Sequence, residues 1–556
     1  MKELVAFLTI AVVLGALRAT PRPQAPIEFR DATADSGIRF SHRSPHTADK
    51  FLLETMGSGV AAFDYDADGL SDLFFLNAAR TVRTSQRVVM DKSDPAFWNR
   101  LYRNAGGKFT DVTETAGLQG STFAMGVATG DIDNDGWPDL YVTGWERNTL
   151  YRNDAGKRFV DITDMAGVST GGWSAGAAFL DYDRDGLLDL FVARYLDWTF
   201  EKNPWCGPRE PHRRGYCHPN NFGDVRHVLY RNIGGGRFED ASRKSGIAGH
   251  AGKGLGVAIA DIDQDGWVDI LVANDSVAQQ AFRSQRDGTF SEIGLQAGIA
   301  YNADGKPFAG MGIDVADYNN DGPPEVFINA LSLEGYALFR SAGAGIFDPV
   351  AEESGLRRAS DPFGGWGTRF ADFDNDCWKD LFVAQGHVMD TIAYDNPSLS
   401  YRQPLLLLRN VAGKFFDVTA SVGSALRVPR ASRGAAIADF DNDGRMDIAV
   451  NNNDGPALVL RNESVAGGWL AVELLGTKSA RDALGASIKL TDNRGRKQWQ
   501  ILTTAASYLS ASQKRVHFGL GAAVSVAELV VRWPSGAVQV VRNPGINRIV
   551  TIRENQ

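Results

Sequence analysis

Carboxylates recur along this chain at a spacing that suits a hard cation. Seven nine-residue phrases carry acids at positions 1, 3, 5 and 9, usually with Gly at position 6. The candidate ligands are Asp64, Asp66, Asp68 and Asp72 in the first phrase, and Asp131, Asp133, Asp135 and Asp139 in the second. The third offers Asp181, Asp183, Asp185 and Asp189, and the fourth Asp261, Asp263, Asp265 and Asp269. The fifth departs from the pattern, with Asp317, Asn319, Asp321 and Glu325. Asp372, Asp374, Asp376 and Asp380 make the sixth, and Asp439, Asp441, Asp443 and Asp447 the seventh. Acids this close repel one another unless a cation sits among them. Ligation by about six to eight oxygens in flexible geometry is calcium chemistry, and position 7 adds a backbone carbonyl. Ca²⁺ is therefore the expected cofactor. Asp-Gly turns between strands would explain one or two acids per turn, but not four at fixed offsets.

These phrases are not EF-hands, which need flanking helices and a Glu at position 12. Position 12 is Phe75, Val142 and Val192 in the first three copies, inside β-branched and aromatic runs that read as strands. The copies also predict unequal affinity. Asn319 and the Pro323-Pro324 pair weaken the fifth, and Cys377 replaces the turn Gly of the sixth, so these two are expected to bind least well.

A second phrase follows each loop: LYRNAGGKFTDVTETAGL from Leu101, with close copies from Leu150 and Leu229 and weaker ones near Phe282, Leu338 and Leu407. A Gly/Ala-rich strand then leads into the next loop. Four short strands per unit of roughly 50 residues is the signature of a β-propeller blade. The last unit stops at Asn462 without its final strand, and FRDATADSGI from Phe29 supplies the missing piece. The expected fold is all-β: a seven-bladed β-propeller over residues 26–465, closed by both chain ends. From 466 to 556 the loops stop, and a small C-terminal β-sandwich-like domain is expected, with Leu529, Val531 and Trp533 on one face of a strand.

Net charge is −9, yet seven divalent cations, +14 in all, would turn it to +5, so the acidity belongs to the loops. No Lys/Arg run points to nucleic acid. Leu4–Leu17 is an apolar stretch of 14 residues, the length of a signal-peptide core, so residues 1–19 read as an export signal. The protein is expected in the periplasm or outside the cell, with no transmembrane domain after signal removal. Cys206 and Cys217 share one Pro/Gly-rich loop, which in an exported protein points to a disulfide. A zinc set with His212 and His218 is the competing reading.

The loops resemble FG-GAP/VCBS repeats, although most units replace Phe-Gly with Met-Gly, Leu-Gly or Arg-Gly. Gly468-Trp469-Leu470, Gly485-Ala486, Tyr508-Leu509-Ser510, the run Val516 to Gly521 and Arg532-Trp533-Pro534-Ser535-Gly536 resemble the ASPIC/UnbV domain. The resemblance implies a secreted, calcium-binding protein of adhesion or matrix, and no defined reaction.

Distances from the first Asp of each loop to the Arg of the next LYRN-type strand are 39, 21, 50, 22, 23, 37 and 22 residues. Units one, three and six thus carry insertions at one repeat position: residues 77–99, 195–227 and 386–403. They hold Trp98, Trp198, Trp205, Tyr216 and Tyr394. Aromatic and Arg side chains are favoured binding anchors, so the insertions are expected to converge at one mouth and engage an extracytoplasmic protein or glycan. Two other readings stand beside this: loops packing on one another, and an enzyme in which His387 and His212 with Asp390 or Asp224 act as acid and base. A G-x-S-x-G match at Gly172, Ser174 and Gly176 lies on a strand rather than an elbow and is read as a coincidence. No catalytic residue is assigned.

Overall fold

The computed structural model describes residues 27–555 except 86 and 211. The export signal expected over 1–19 lies outside the described residues. No described helix is long and apolar enough to cross a membrane.

Seven antiparallel sheets contain a four-stranded blade order. Their innermost strands are Val60–Phe63, Ala124–Gly130, Ser174–Leu180, Gly254–Ala260, Ile313–Ala316, Gly365–Ala371 and Ser432–Ala438. Each of these lies against the next, and the seventh lies against the first, so the ring closes. The strand from the other chain end completes it: Phe29 pairs with Asn462 and Asp31 with Leu460, leaving no gap between first and last blade. The inner strands are rich in Gly and Ala because their backbones nearly touch. A Cβ on Gly312 would lie 1.9 Å from the Trp366 carbonyl oxygen of the next blade.

Each second strand runs from an Asp-rich loop at one face of the ring to the other face, where the three insertions emerge. The Asp-rich loops are also joined to one another. The residue at loop position 4 has a left-handed backbone (φ near +55 to +59) and aims its side chain at the next blade. Asn134 Nδ2 donates to the Gly186 carbonyl (3.0 Å), and Gln264 Nε2 to that of Gly322 (3.0 Å). Asn320 donates to Cys377 (2.9 Å), Asn375 to Gly444 (2.9 Å) and Asn442 to Gly69 (3.0 Å). Arg184 makes the equivalent bond to Gly266. Six links of a seven-link belt are therefore present. The one missing lies between loops one and two, where position 4 is Ala67. A cavity of about 300 Å³ opens there, lined by Ala67, Gly69 and Gly136.

After Asn462 the chain builds two more sheets. Gly468–Leu475 lies between Val516–Gly521 and Arg548–Arg553, and a four-stranded sheet contains Ser487–Asp492 and Val526–Arg532. Leu529, Val531 and Trp533 are buried, as the alternation requires. This module caps the face that carries the Asp-rich loops. Its hairpin, Ala505–Ala506 paired with Ser510–Ala511, leaves the sandwich and enters the propeller axis, where Ala511 pairs with Ala61. The sequence pattern does not reveal this hairpin as a separate element.

The belt predicts the effect of closing its gap. Ala67→Asn places a donor opposite Gly136 in a residue type that tolerates the left-handed backbone. It should stabilise the fold by about 1 kcal/mol, and Asn442→Ala should destabilise it by a similar amount. Thermal unfolding decides this; an Ala67→Asn protein no more stable than its parent would contradict the belt.

Candidate metal centres and the opposite mouth

The loop is built from its own backbone. In loop one, Asp64 accepts from the N–H groups of Asp68 (3.0 Å) and Gly69 (2.8 Å), wrapping the turn around the first carboxylate. Asp68 accepts from Leu70 (3.0 Å). Asp72 is buried at the root of the blade. Its two oxygens accept from Tyr65 N (2.9 Å) and from Asn104 N in the third strand (2.7 Å). Loops two, three, four, six and seven repeat the wrap around Asp131, Asp181, Asp261, Asp372 and Asp439. The ninth-position carboxylates of Asp139, Asp189, Asp269, Asp380 and Asp447 are held in the same way.

The third-position carboxylate behaves differently. One oxygen each of Asp66, Asp133, Asp183, Asp374 and Asp441 is buried without a hydrogen-bond partner. Carboxylate oxygens of positions 1, 3 and 9 lie within 4.8 Å of one another in loops one, two, three and six, as do those of Asp261, Asp263 and Asp265 in loop four. An unpaired buried carboxylate oxygen is costly, and a cation among these groups removes the cost. The donor set is all oxygen and fits Ca²⁺.

Burial sets the electrostatics. It pushes Asp64 and Asp439 up to about 6, Asp131, Asp181 and Asp261 up to about 7, and Asp72 up to about 8. The arginine of the LYRN strand offsets part of the charge, a role the sequence pattern does not disclose. Arg103 reaches Asp66 (2.5 Å) and Asp68 (3.0 Å), Arg231 reaches Asp183 (2.5 Å) and Asp185 (2.7 Å), and Arg409 and Arg461 pair with Asp374 and Asp441. In loop four Arg286, not the LYRN-position Arg283, pairs with Asp265 (2.7 Å).

Loop five differs in its donors. Pro323 has no N–H to give Asp321, and both oxygens of Asp317 are left buried and unpaired. The Asn319 amide donates to Asp321 (2.9 Å) and Glu325 (3.0 Å), turning a neutral donor toward two carboxylates. Lys379, from loop six, buries its ammonium here and donates to the Asp317 carbonyl (2.8 Å). Loop six keeps its wrap, with Cys377 in a left-handed backbone (φ 83) that ordinarily selects glycine.

At the opposite face the three insertions meet around residues 42–58. Asp49 accepts from Arg83 of the first insertion (2.7 Å) and lies 3.5 Å from Arg214 of the third. Lys50 pairs with Asp390 of the sixth (2.6 Å), and Arg213 with Asp395 (3.1 Å). The Cys206–Cys217 disulfide is formed, which removes the zinc reading. The aromatics divide. Trp198 and Tyr216 are buried in a shared core with Phe51, Met56 and Trp366, whereas Tyr394 is exposed beneath Arg213. Much of the aromatic content of the insertions therefore packs internally.

The acid–base pairing weighed for an enzyme does not assemble. His387 is buried, accepts from Met389 N and is pushed down to about 4 by burial, while His212 lies against Trp205. Asp390 pairs with Lys50, and Asp224 lies 3.6 Å from Lys253. Ser174 is buried against Asn148. A web that no motif announces forms instead: His46 bonds Tyr216, Tyr216 donates to Glu54 (3.1 Å), and the other His46 nitrogen lies 3.3 Å from the Tyr401 hydroxyl.

Family models match two parts of the chain. An FG-GAP-like repeat model matches residues 64–142, 131–192, 221–272 and 261–328, and an ASPIC and UnbV model matches 476–556. The chain carries FG-GAP-like repeats and an ASPIC and UnbV domain. It is 25% identical over 331 residues to cartilage acidic protein 1 of Homo sapiens, covering 57% of this chain and 46% of that protein. The Xenopus tropicalis protein of the same name is 27% identical over 316 residues, covering 54% and 45%. The chain thus spans about half the length of the curated relatives it matches. Among solved structures, an Agrocybe aegerita lectin described as recognising non-reducing terminal N-acetylglucosamine overlaps 66% of this chain and 87% of its own, with 15% identity and a TM-score of 0.36.

Two outcomes follow from these charges. Without cation, the raised carboxylates bind protons more tightly folded than unfolded. That stability is present in acid and is lost as pH rises through about 6 to 8, the range of the pKa values above. Melting in chelator should fall across that range, and millimolar Ca²⁺ should flatten the profile; parallel profiles would contradict the assignment. Lys379→Met should lower stability by about 1–3 kcal/mol, because it leaves the buried Asp317 carbonyl without its donor and removes a buried cation beside Asp317 and Glu325; an unchanged melt would contradict that role.

Proposed function

We propose that the protein is an exported calcium-binding propeller scaffold whose mouth engages an extracytoplasmic protein or glycan in an adhesive role. The observation that carries the cation half is the repeated third-position oxygen, buried and unpaired beside two further carboxylates in loop after loop. Calcium enters loop five last, because the Asn319 amide turns donors toward Asp321 and Glu325 and the Lys379 ammonium is buried beside them. Export is supported by the apolar N-terminal stretch, the disulfide and the likeness to cartilage acidic protein 1.

The ligand half rests on the mouth. The insertions and residues 42–58 form one surface, tied by Asp49 and Lys50. At its edge a groove of about 270 Å³ is lined by Arg39, Arg43, Arg100, Phe40 and Trp98. Arg100 lies over the Trp98 ring, 5.2 Å from its centroid, and Arg43 is exposed. Asp111 also lines the groove and pairs with Arg100 (3.2 Å), so Arg39 and Arg43 supply its excess positive charge beside an aromatic wall, which suits an acidic protein segment or an acidic glycan.

Point variants test the mouth better than removal of the third insertion, which would take buried Tyr216 with it. In a binding screen of glycans and matrix proteins with calcium present, Arg43→Glu with Trp98→Ala should weaken the captured ligand by ten-fold or more and leave melting nearly unchanged. Equal capture by variant and parent would reject this groove.

A further inference from the structure

The axial hairpin touches both functional faces. Its base rests on the Asp-rich loops. Gln513 accepts from Asp439 N (3.1 Å), Arg515 donates to Asn442 Oδ1 (2.6 Å) and the Gly69 carbonyl (3.3 Å), and His517 lies 3.0 Å from the Gly444 carbonyl. Elsewhere the cap holds the same ring: Gly521 N donates to the Asn375 carbonyl (2.7 Å), and Asp131 N donates to Asp482 (2.8 Å). Loops one, two, six and seven are thus bound directly by the C-terminal module.

The shaft of the hairpin is fixed by inner strands around the ring. Ser507 N donates to the Ile313 carbonyl (2.6 Å), and Ser507 Oγ donates to that of Ala435 (2.9 Å) and accepts from Thr368 N (3.0 Å). Val127 N donates to the Leu509 carbonyl (3.1 Å), and Val60 N to Ser510 Oγ (3.1 Å). Five blades therefore grip a short strip of chain. The approach is close enough that a Cβ on Gly59 would lie 1.6 Å from the Leu509 carbonyl oxygen.

The tip emerges beneath the mouth. The Tyr508 hydroxyl donates to the Met56 carbonyl (3.0 Å), its ring stands edge-on to Trp366 at 4.8 Å, and Tyr508 and Leu509 join the core that holds Trp198 and Tyr216. Ser507 and Leu509 both have positive φ (71 and 57), a conformation that side-chain-bearing residues keep only when surroundings over-determine it.

We infer that this hairpin transmits cation occupancy of the loops to the mouth, so that ligand binding there is calcium-linked although the two faces share no residues. The inference rests on the calcium reading above. Residues 51–58 are the receiving segment: Met56 is held by Tyr508, and the same stretch leads back to Arg43, whose neighbour Ser44 donates to the Glu54 carbonyl (2.9 Å). Linkage is reciprocal, so a mouth ligand also tightens calcium binding.

Hydrogen exchange on the full chain in saturating calcium tests it, with Asp441→Asn removing one ligand from loop seven, beside Arg515 and His517. Asp263→Asn in loop four is the control, because the cap meets that loop only by packing, at Arg532 and Gly485, with no hydrogen bond to residues 261–269 among the described residues. Asp441→Asn should speed exchange several-fold in residues 503–513 and 51–58, while Asp263→Asn changes only its own blade. Tyr508→Phe, which keeps the ring but loses the bond to Met56, should speed exchange at 51–58 without changing the calcium titration heat. Calcium loss in Asp441→Asn with exchange altered only around loop seven would overturn the linkage. If that variant and its parent bind no calcium by the same titration, the underlying cation reading fails instead.

Discussion

A carboxylate buried at the root of every blade is the constraint on which this fold turns. The ninth loop residue, Asp in six blades and Glu325 in the fifth, is almost wholly withdrawn from solvent. In that place it orders two segments at once, accepting from the start of its loop and, in six blades, from the third strand. Taking a charge out of water costs several kcal/mol unless it is compensated. The first and third carboxylates crowd the same space and compound the problem. A divalent cation would answer it in several loops, the LYRN arginines answer part of it at the surface, and the ammonium of Lys379 lies buried beside loop five.

The belt and the cap follow from that arrangement. Tight loops wrapped on their first Asp push position 4 into a left-handed backbone, which aims its side chain at the neighbouring loop. The same wrapping exposes carbonyls at position 6, which receive the belt bonds and, in loops one and seven, cap side chains. The C-terminal module is therefore seated on the ordered loops, and its hairpin fills the axis that the close-packed inner strands leave.

Much of this was legible in the sequence, because fixed spacing is a local signal. Loop positions, ring closure through Phe29 and the shared face of the three insertions follow from counting residues. The hairpin was hidden because TTAASYLSAS lacks the alternation of a strand that lies in a sheet; its hydrogen-bond partners are distant inner strands of five blades. The belt was hidden because a side-chain N–H donor at position 4, present in every loop but the first, names no partner until the ring is folded. Lys379 belongs in sequence to loop six but serves loop five, a relation only the folded ring creates. The mouth was half legible: the insertions converge, yet Trp198 and Tyr216 serve the core and not the surface.

The central claim is that cations complete the loops. Native mass spectrometry of the folded chain at rising calcium concentration counts them directly. The account predicts five bound ions filling together, with those of loop six and then loop five entering only at higher concentration. A folded chain that carries no calcium at millimolar concentration, or one in which loop five fills with the rest, would contradict it.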